Sequence, residues 1–158
     1  LLGDEMELPT EIIISITQDI VNEYNAYYFT IHPRAKKKPI AKPYFTTLNE
    51  MLLLNNKAIK NAKKQEQQEF VKFILEKYEL WDLKIKSCCL HVKFCYNNRI
   101  RHDLDNSICI LKPFLDQCVL SGMLIDDDYK VVRYISTTAV VEKENSPRVD
   151  ITFYNIVY

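Results

Sequence analysis

Glycine is nearly absent from this chain. Only Gly3 and Gly122 occur among 158 residues. Loops that bind phosphate through backbone amides need closely spaced glycines, as in G-x-G-x-x-G and Walker A sequences, and neither sequence is present. The chain therefore cannot form a glycine-rich phosphate loop. Gly122 follows a helical pattern, and we expect it to end that helix.

Composition favours one globular domain. A length of 158 residues and a hydrophobic fraction of 47% suit a single packed core. Lys and Arg total 21, as do Asp and Glu, so the formal charge is zero. This balance argues against a non-specific nucleic-acid binder. Residues 33–42 and 57–64 are nevertheless basic, and residues 103–128 are acidic. Such separated patches are compatible with an anionic ligand beside a cation site.

The start of the chain and its cysteines predict a cytoplasmic protein. Residues 1–8 are acidic and lack the apolar segment of an export signal. No run approaches the roughly 18 apolar residues of a membrane helix, so no membrane partner is expected. Five cysteines, without a C-x-x-C pair, argue against zinc and for reduced, buried thiols.

The hydrophobic pattern predicts alternating strands and helices. β-branched and alternating stretches indicate strands, and apolar residues at helical spacing indicate helices. The predicted elements are a strand at 11–17, a hairpin or long projecting loop at 22–45, helices at 47–79 and 106–121, and strands at 83–96, 129–143 and 147–158. This order predicts an α/β or α+β fold: a small mixed sheet of about four strands packed with two main helices. We expect one domain over residues 1–158, with a flexible N-terminus at 1–10.

Aspartates cluster where a strand is predicted to give way to a helix. Asp103 and Asp105 are two residues apart, so they share one face if the segment is extended. Asp116 and the run 126–128 add four more carboxylates. Like charges brought close raise one another's pKa unless a cation lies between them. Mg²⁺ or Mn²⁺, which prefer oxygen ligands, would satisfy such a group.

Other interpretations of these aspartates remain open. Asp105 suits a plain helix N-cap, and runs of surface aspartates often lie in solvated loops. An EF-hand is excluded, because the segment from Asp103 has no glycine turn and no terminal Glu. D-x-D also occurs in nucleotide-sugar glycosyltransferases, but this chain is short and lacks a glycine-rich nucleotide loop.

An ordered motif gives the aspartates a more specific meaning. Basic residues precede D-x-D-N, and then K-x-x-x-D, a glycine and an aspartate pair follow. The matching residues are Asp103, Asp105, Asn106, Lys112, Asp116, Gly122, Asp126 and Asp127. This motif resembles the RusA family of Holliday junction resolvases, which is common in phages and prophages. The match covers residues 99–106 and 112–132, and the predicted strands around it agree in type and order.

The resemblance implies a hydrolase: a metal-dependent endodeoxyribonuclease that cuts four-way DNA junctions symmetrically in recombination and repair. It implies a homodimer acting on branched DNA in the cytoplasm of a bacterial host. The catalytic residues implied are three aspartates that bind Mg²⁺ or Mn²⁺, and one lysine: Asp103, Asp105, Asp127 and Lys112. The polar neighbours implied are Asn106, Asp116 and Asp126.

Cationic side chains near the motif and on the basic loop are candidates for contacts with the DNA backbone. These candidates are Arg99, Arg101, Lys36, Lys37 and Lys38. Their alternative role is solubility, since exposed Lys and Arg are ordinary surface residues.

The chain departs from the family motif between Asn106 and Lys112. Five residues separate them, where the family has two. The three extra residues are nearly one helical turn of ~3.6 residues, so a helix can absorb them. Pro113 is expected to kink this helix or to mark its true start.

Three other functions therefore stay open. The first is a different metal-dependent nuclease or phosphodiesterase. The second is a catalytically degenerate relative that binds DNA or a protein. The third is a structural interaction module whose aspartates lie in solvated loops.

Overall fold

A four-stranded mixed sheet forms the centre of the computed structural model, which describes residues 7–99 and 102–158. The strands are β1 (Ile12–Thr17), β2 (Ser87–Tyr96), β3 (Val132–Val141) and β4 (Arg148–Val157). Their order in the sheet is β1-β4-β2-β3. β4 is antiparallel to both β1 and β2, whereas β3 is parallel to β2. The predicted sheet of about four mixed strands is confirmed.

Helices complete an α+β fold. They are α1 (Gln18–Ile31), α2 (Leu48–Leu52), α3 (Lys57–Lys77), α4 (Leu104–Ser107) and α5 (Leu111–Leu120). A short 3-10 segment, Ile108–Ile110, joins α4 to α5. Buried and partly exposed residues alternate along β2, and the buried ones join side chains of the helices in one core. The predicted single-domain α+β class is thus confirmed, but α1 is a third long helix beside the two that were predicted, α3 and α5.

The two C-terminal strands are joined by a short turn, as predicted, but they are not neighbours in the sheet. β2 lies between β3 and β4 and pairs with each of them. The chain passes over the end of β2 after β3, where the Glu142 amide donates to the Tyr96 carbonyl at 2.8 Å. β2 therefore holds both C-terminal strands in place.

Residues 18–31 form a helix, which corrects the prediction of a hairpin or loop beginning at residue 22. Thr17 is the N-cap, and its hydroxyl accepts a hydrogen bond from the Ile20 amide at 3.2 Å. Tyr24 is buried, and its ring centroid lies 5.1 Å from that of Phe70 in α3. Within the aromatic stretch that resembles a strand in the sequence, Tyr24 therefore belongs to the packed side of α1, together with Ile20 and Val21.

The basic segment after α1 is an irregular, exposed loop. The buried amide of Asn25 fixes it, donating from Nδ2 to the Ile40 carbonyl at 2.7 Å and accepting from the Ile40 amide at 3.3 Å. Both backbone groups of Ile40 are thereby satisfied inside the protein. Residues 36–38 are held exposed on one side of this anchor.

The structure also bears on the predictions for the N-terminus, the cysteines and membrane helices. Residues 1–6, which carry most of the predicted flexible N-terminus, lie outside the described residues, while Pro9 accepts a hydrogen bond from the Tyr158 hydroxyl at 2.6 Å. All five cysteines are free thiols. In the part of the chain that is described, no helix is long and apolar enough to cross a membrane.

Candidate active site

Asp103 and Asp105 lie at the start of α4. Asp103 is the N-cap residue, and its carbonyl accepts from the amides of Asn106 and Ser107 at 3.1 and 3.0 Å. Asp105 is exposed in the first turn, with Oδ1 accepting from the Asn106 amide at 3.0 Å. The interpretation of Asp105 as the N-cap is therefore wrong by two residues. Both carboxylates still lie where the helix dipole favours negative charge.

Two polar contacts fix the start of α4. The side-chain oxygen of Asn106 accepts from the Asn49 amide of α2 at 2.9 Å. On the inner side, the hydroxyls of Tyr96 and Ser107 form a buried hydrogen bond of 2.8 Å. The resemblance implies that Asn106 orients a carboxylate. In the structure, its side-chain oxygen instead accepts a hydrogen bond from the backbone of a neighbouring helix.

Asp116 and Asp127 form a carboxyl pair. Asp116 lies on α5, Asp127 lies in the loop before β3, and a hydrogen bond joins their side chains. Two carboxyl groups can share a hydrogen bond only if one of them keeps its proton. The two groups are therefore expected to titrate together.

Two lysines hold Asp116 in this pair. Lys64 of α3 places Nζ 2.6 Å from Oδ2, and Lys112 of α5 places Nζ 3.1 Å from Oδ1. Burial opposes ionisation of Asp116, but the hydrogen bonds from both lysines and from Asp127 outweigh it and lower its pKa. Asp116 is therefore the ionised member of the pair.

Asp127 shows the opposite behaviour. Its pKa is raised, first by burial, then by the hydrogen bond to Asp116 and by the charges of Asp116 and Asp126, with Lys112 acting against the shift. Asp127 is thus the member that holds its proton to higher pH. A carboxyl pair with separated pKa values is a common arrangement at acid–base sites.

Backbone contacts shape the acidic loop around Asp127. The Asp127 amide donates to Oδ1 of Asp126 at 2.8 Å. Oδ1 of Asp128 accepts from the amides of Lys130 and Val131 at 2.9 and 3.2 Å, in the turn that leads into β3. Asp126 and Asp128 therefore act as turn residues here, and this turn places Asp127 beside α5.

We expect Asp127→Asn to raise the melting temperature at neutral pH without divalent ions. The gain in the free energy of unfolding should be less than about 1 kcal/mol, because the group is partly exposed. A raised carboxyl pKa gives stability that is present below the unfolded-state pKa and is lost as pH rises through the folded-state pKa. The variant avoids that loss. Thermal denaturation in a chelator should show the gain shrinking as pH falls. Asp128→Asn, which keeps its turn acceptor, is the control; an unchanged or lower melting temperature for Asp127→Asn contradicts the assignment.

The lengthened segment between Asn106 and Lys112 is helical, as expected. The 3-10 segment occupies Ile108–Ile110, where the extra residues occur. Pro113 lies in the first turn of α5, where its missing amide hydrogen costs no helical bond. Pro113 is the third residue of α5, so the helical run changes from 3-10 to α two residues before it and does not begin at Pro113 itself. Lys112 precedes it, largely exposed, and its amine reaches Asp116 one turn later.

This helical run separates Asp103 and Asp105 from the carboxyl pair. Asp105 and Asp116 are eleven positions apart in successive helical segments, which corresponds to a rise on the order of 16 Å along the helical path. Mg²⁺–oxygen distances are about 2.0–2.1 Å. Within residues 7–99 and 102–158, no group of three or more His, Cys, Asp or Glu side chains is placed to hold a metal ion. This arrangement therefore does not fit one ion shared by Asp103, Asp105 and Asp127.

The candidate DNA contacts lie in two exposed segments. Lys36, Lys37 and Lys38 are exposed on the basic loop, and Arg99 is exposed after β2. Arg101 lies outside the described residues. The structure does not test contact with DNA for any of these side chains, so this role stays a prediction.

An aromatic stack adjoins Asp103, which sequence reasoning missed. The rings of His102 and Tyr96 are parallel, with centroids 3.6 Å apart, and Tyr44 from the basic loop lies 6.0 Å from His102. Burial and the nearby Lys42 lower the pKa of His102. His102 is therefore a neutral packing group beside Asp103.

Lys64 is the other missed residue. It belongs to the basic segment 57–64, but nothing in its spacing indicates that one of its lysines contacts Asp116. That contact depends on the packing of α3 against α5.

Comparison with known proteins adds no relative. No protein-family model matches the chain, and no curated protein matches it. The likeness to RusA-type resolvases therefore depends on the motif residues.

Proposed function

We propose that this protein is a RusA-type endodeoxyribonuclease that hydrolyses phosphodiester bonds of four-way DNA junctions as a homodimer in a bacterial cytoplasm, with Mg²⁺ or Mn²⁺. One observation carries the proposal. Asp116 and Asp127, from different halves of the motif, are in hydrogen-bonding contact beside Lys112. A chance match to the motif gives no reason for these residues to meet.

The positions of the three aspartates agree poorly with metal dependence. Carboxylate oxygens suit Mg²⁺ and Mn²⁺, and Asp103, Asp105 and Asp127 are the proposed ligands. Their separation along α4 and α5 leaves the three without a common centre. The proposal thus requires that Asp103 and Asp105 move toward Asp127 when DNA and metal bind.

The carboxyl pair supplies groups that phosphodiester hydrolysis needs. The oxygen of water bonds to phosphorus, a P–O bond breaks, water loses a proton and the leaving oxygen gains one. As a metal ligand Asp127 would be ionised, so the ionised pair could take the proton of the attacking water, and the leaving oxygen would gain its proton from solvent. Lys64 and Lys112 place positive charge beside the pair, where it would stabilise charge developing on the phosphate.

The test is cleavage of a synthetic four-way junction by the purified protein. With Mg²⁺ or Mn²⁺ we expect paired, symmetric cuts, and with a chelator none. Flap and single-stranded DNA of the same sequence should stay intact. Absence of cuts with either ion, or cleavage that continues in the chelator, contradicts the proposed function. Cleavage of flaps or single strands would instead indicate a different nuclease.

A DNA-binding relative without catalysis is the second candidate. The distance between Asp105 and the carboxyl pair favours it, because the predicted ligands do not meet. Junction binding in an electrophoretic assay, with no cleavage at any concentration of either ion, would support this candidate over the nuclease.

A further inference from the structure

Strand β3 has an unpaired edge. It is ten residues long and pairs only with β2. For residues 133–141, no described residue forms a hydrogen bond with the backbone groups on the outer side. A long row of free amides and carbonyls is a template for another strand.

The opposite edge of the sheet is protected. β1 has six residues, and the Tyr78 hydroxyl accepts from the Ser15 amide at 3.0 Å and donates to its carbonyl at 3.2 Å. Among the described residues, no side chain caps the outer backbone groups of β3 in this way. It contains no proline, and its only charge, Arg133, lies near one end. The usual devices that prevent strand addition are thus missing from β3.

Apolar side chains of β3 are exposed where those of β2 are buried. Ile135 is 45% exposed, although its partner Leu90 in β2 is fully buried. Val141 is 49% exposed beside the buried Tyr96. Tyr134, on the other face, is 58% exposed. The hydrophobic core therefore covers β2 but leaves the apolar side chains of the edge strand β3 exposed.

Thr137 lies at the middle of β3 with an unsatisfied hydroxyl. Its Oγ1 is buried and has no hydrogen-bond partner among the described residues. It shares the helix-covered face with its neighbour Val92 in β2. A buried hydroxyl without a partner is costly, and rotation of the Thr137 side chain toward the edge would let a threonine directly opposite on an added strand pair with it.

We propose that β3 pairs antiparallel with β3 of a second copy about a two-fold axis, joining the sheets into one of eight strands. Thr137 then faces the partner's Thr137, and Ile135 faces the partner's Ala139. Arg133 faces the partner's Val141. The two Arg133 side chains lie on the order of 27 Å apart along the strands, which avoids repulsion. Such an interface is self-complementary, as two-fold symmetry requires.

The inference specifies an interface for the homodimer of the proposed function, but its evidence is independent of catalysis. A protein that dimerises through β3 and cuts no DNA supports the inference and contradicts the nuclease. A monomer that cuts junctions supports the nuclease activity and contradicts the inference.

The first test is the mass in solution by sedimentation equilibrium. We expect wild type to reach twice the chain mass of 18.7 kDa at tens of micromolar, and Ile135→Lys to remain monomeric there. Ile13→Lys is the matched control, because Ile13 is 54% exposed on the opposite edge strand; it should still dimerise. Circular dichroism checks that each variant is folded. A monomeric wild type, or a folded Ile135→Lys variant that still dimerises, overturns the inference.

A cysteine cross-link tests the register without relying on Ile135. Facing residues of antiparallel strands have Cα atoms about 4.5–5.5 Å apart, which permits a disulfide. Thr137→Cys should therefore give a covalent dimer on mild oxidation, in excess of any formed by the native thiols. Ala139→Cys should not, because its copies do not face each other. Equal cross-linking of the two variants overturns the proposed pairing.

Discussion

Asp105→Asn is expected to reduce cleavage of a four-way DNA junction by roughly 10²–10⁴-fold, the range typical of losing one catalytic group. The substitution keeps the side chain's size and an oxygen that can accept from the Asn106 amide, but it removes the charge. Asp105 is exposed and makes no core contact, so the fold should persist. Junction binding should persist too, because the negative charge contributes nothing to attraction for DNA phosphates.

Asp19→Asn is the matched control for this experiment. Asp19 is an exposed aspartate in the first turn of α1, as Asp105 is in α4. It lies outside the motif, so cleavage should stay at the wild-type rate. Undiminished cleavage by Asp105→Asn would show that Asp105 has no catalytic role. Measurements of rate and binding on the same junction separate a chemical defect from a loss of DNA contact.

Phe153→Ala is expected to lower the free energy of unfolding by about 3–5 kcal/mol, as other buried Phe→Ala changes do. Phe153 is fully buried in β4, which pairs with two strands, and its ring stacks on Phe114 of α5 at 6.2 Å. Truncation leaves a cavity between the sheet and the helix that carries Asp116. Since domains of this size have about 5–15 kcal/mol of stability in total, the variant should lose a large share of it.

Urea denaturation measures this loss, with Tyr129→Ala as control. Tyr129 is 80% exposed, so its truncation should change the unfolding free energy by no more than about 0.5 kcal/mol. Similar midpoints for the two variants would contradict the placement of Phe153 in the core.

The strands were predictable from sequence because their patterns are local. Ile12, Ile14 and Ile16 alternate with exposed or half-buried residues, and they are buried as a one-sided strand requires. The sequence could not reveal that β2 separates β3 from β4, because strand order depends on pairing between distant segments. α1 was missed because Tyr27, Tyr28 and Phe29 favour strands by propensity, whereas α1 packs on α3 through the rings of Tyr24 and Tyr27.

The site was predictable only in part, because some of its contacts depend on packing between distant segments. Motif spacing pointed to Asp127 and Lys112, and the structure places both beside Asp116. The contact of Lys64 with Asp116 comes from helix packing across α3 and α5, and no local pattern encodes it. The distance from Asp105 to the pair follows from three extra residues that continue the helix rather than looping out.

The pairing of β1 with β4 joins segments that are far apart in the sequence, with Ile12 opposite Phe153. Closing so long a segment costs entropy before any contact rewards it, and such distant pairings slow folding. During synthesis, β1 has no strand to pair with until β4 has emerged from the ribosome. We therefore expect a chain stalled before residue 148 to keep its first strand exposed, as a substrate for chaperones and proteases, until translation resumes.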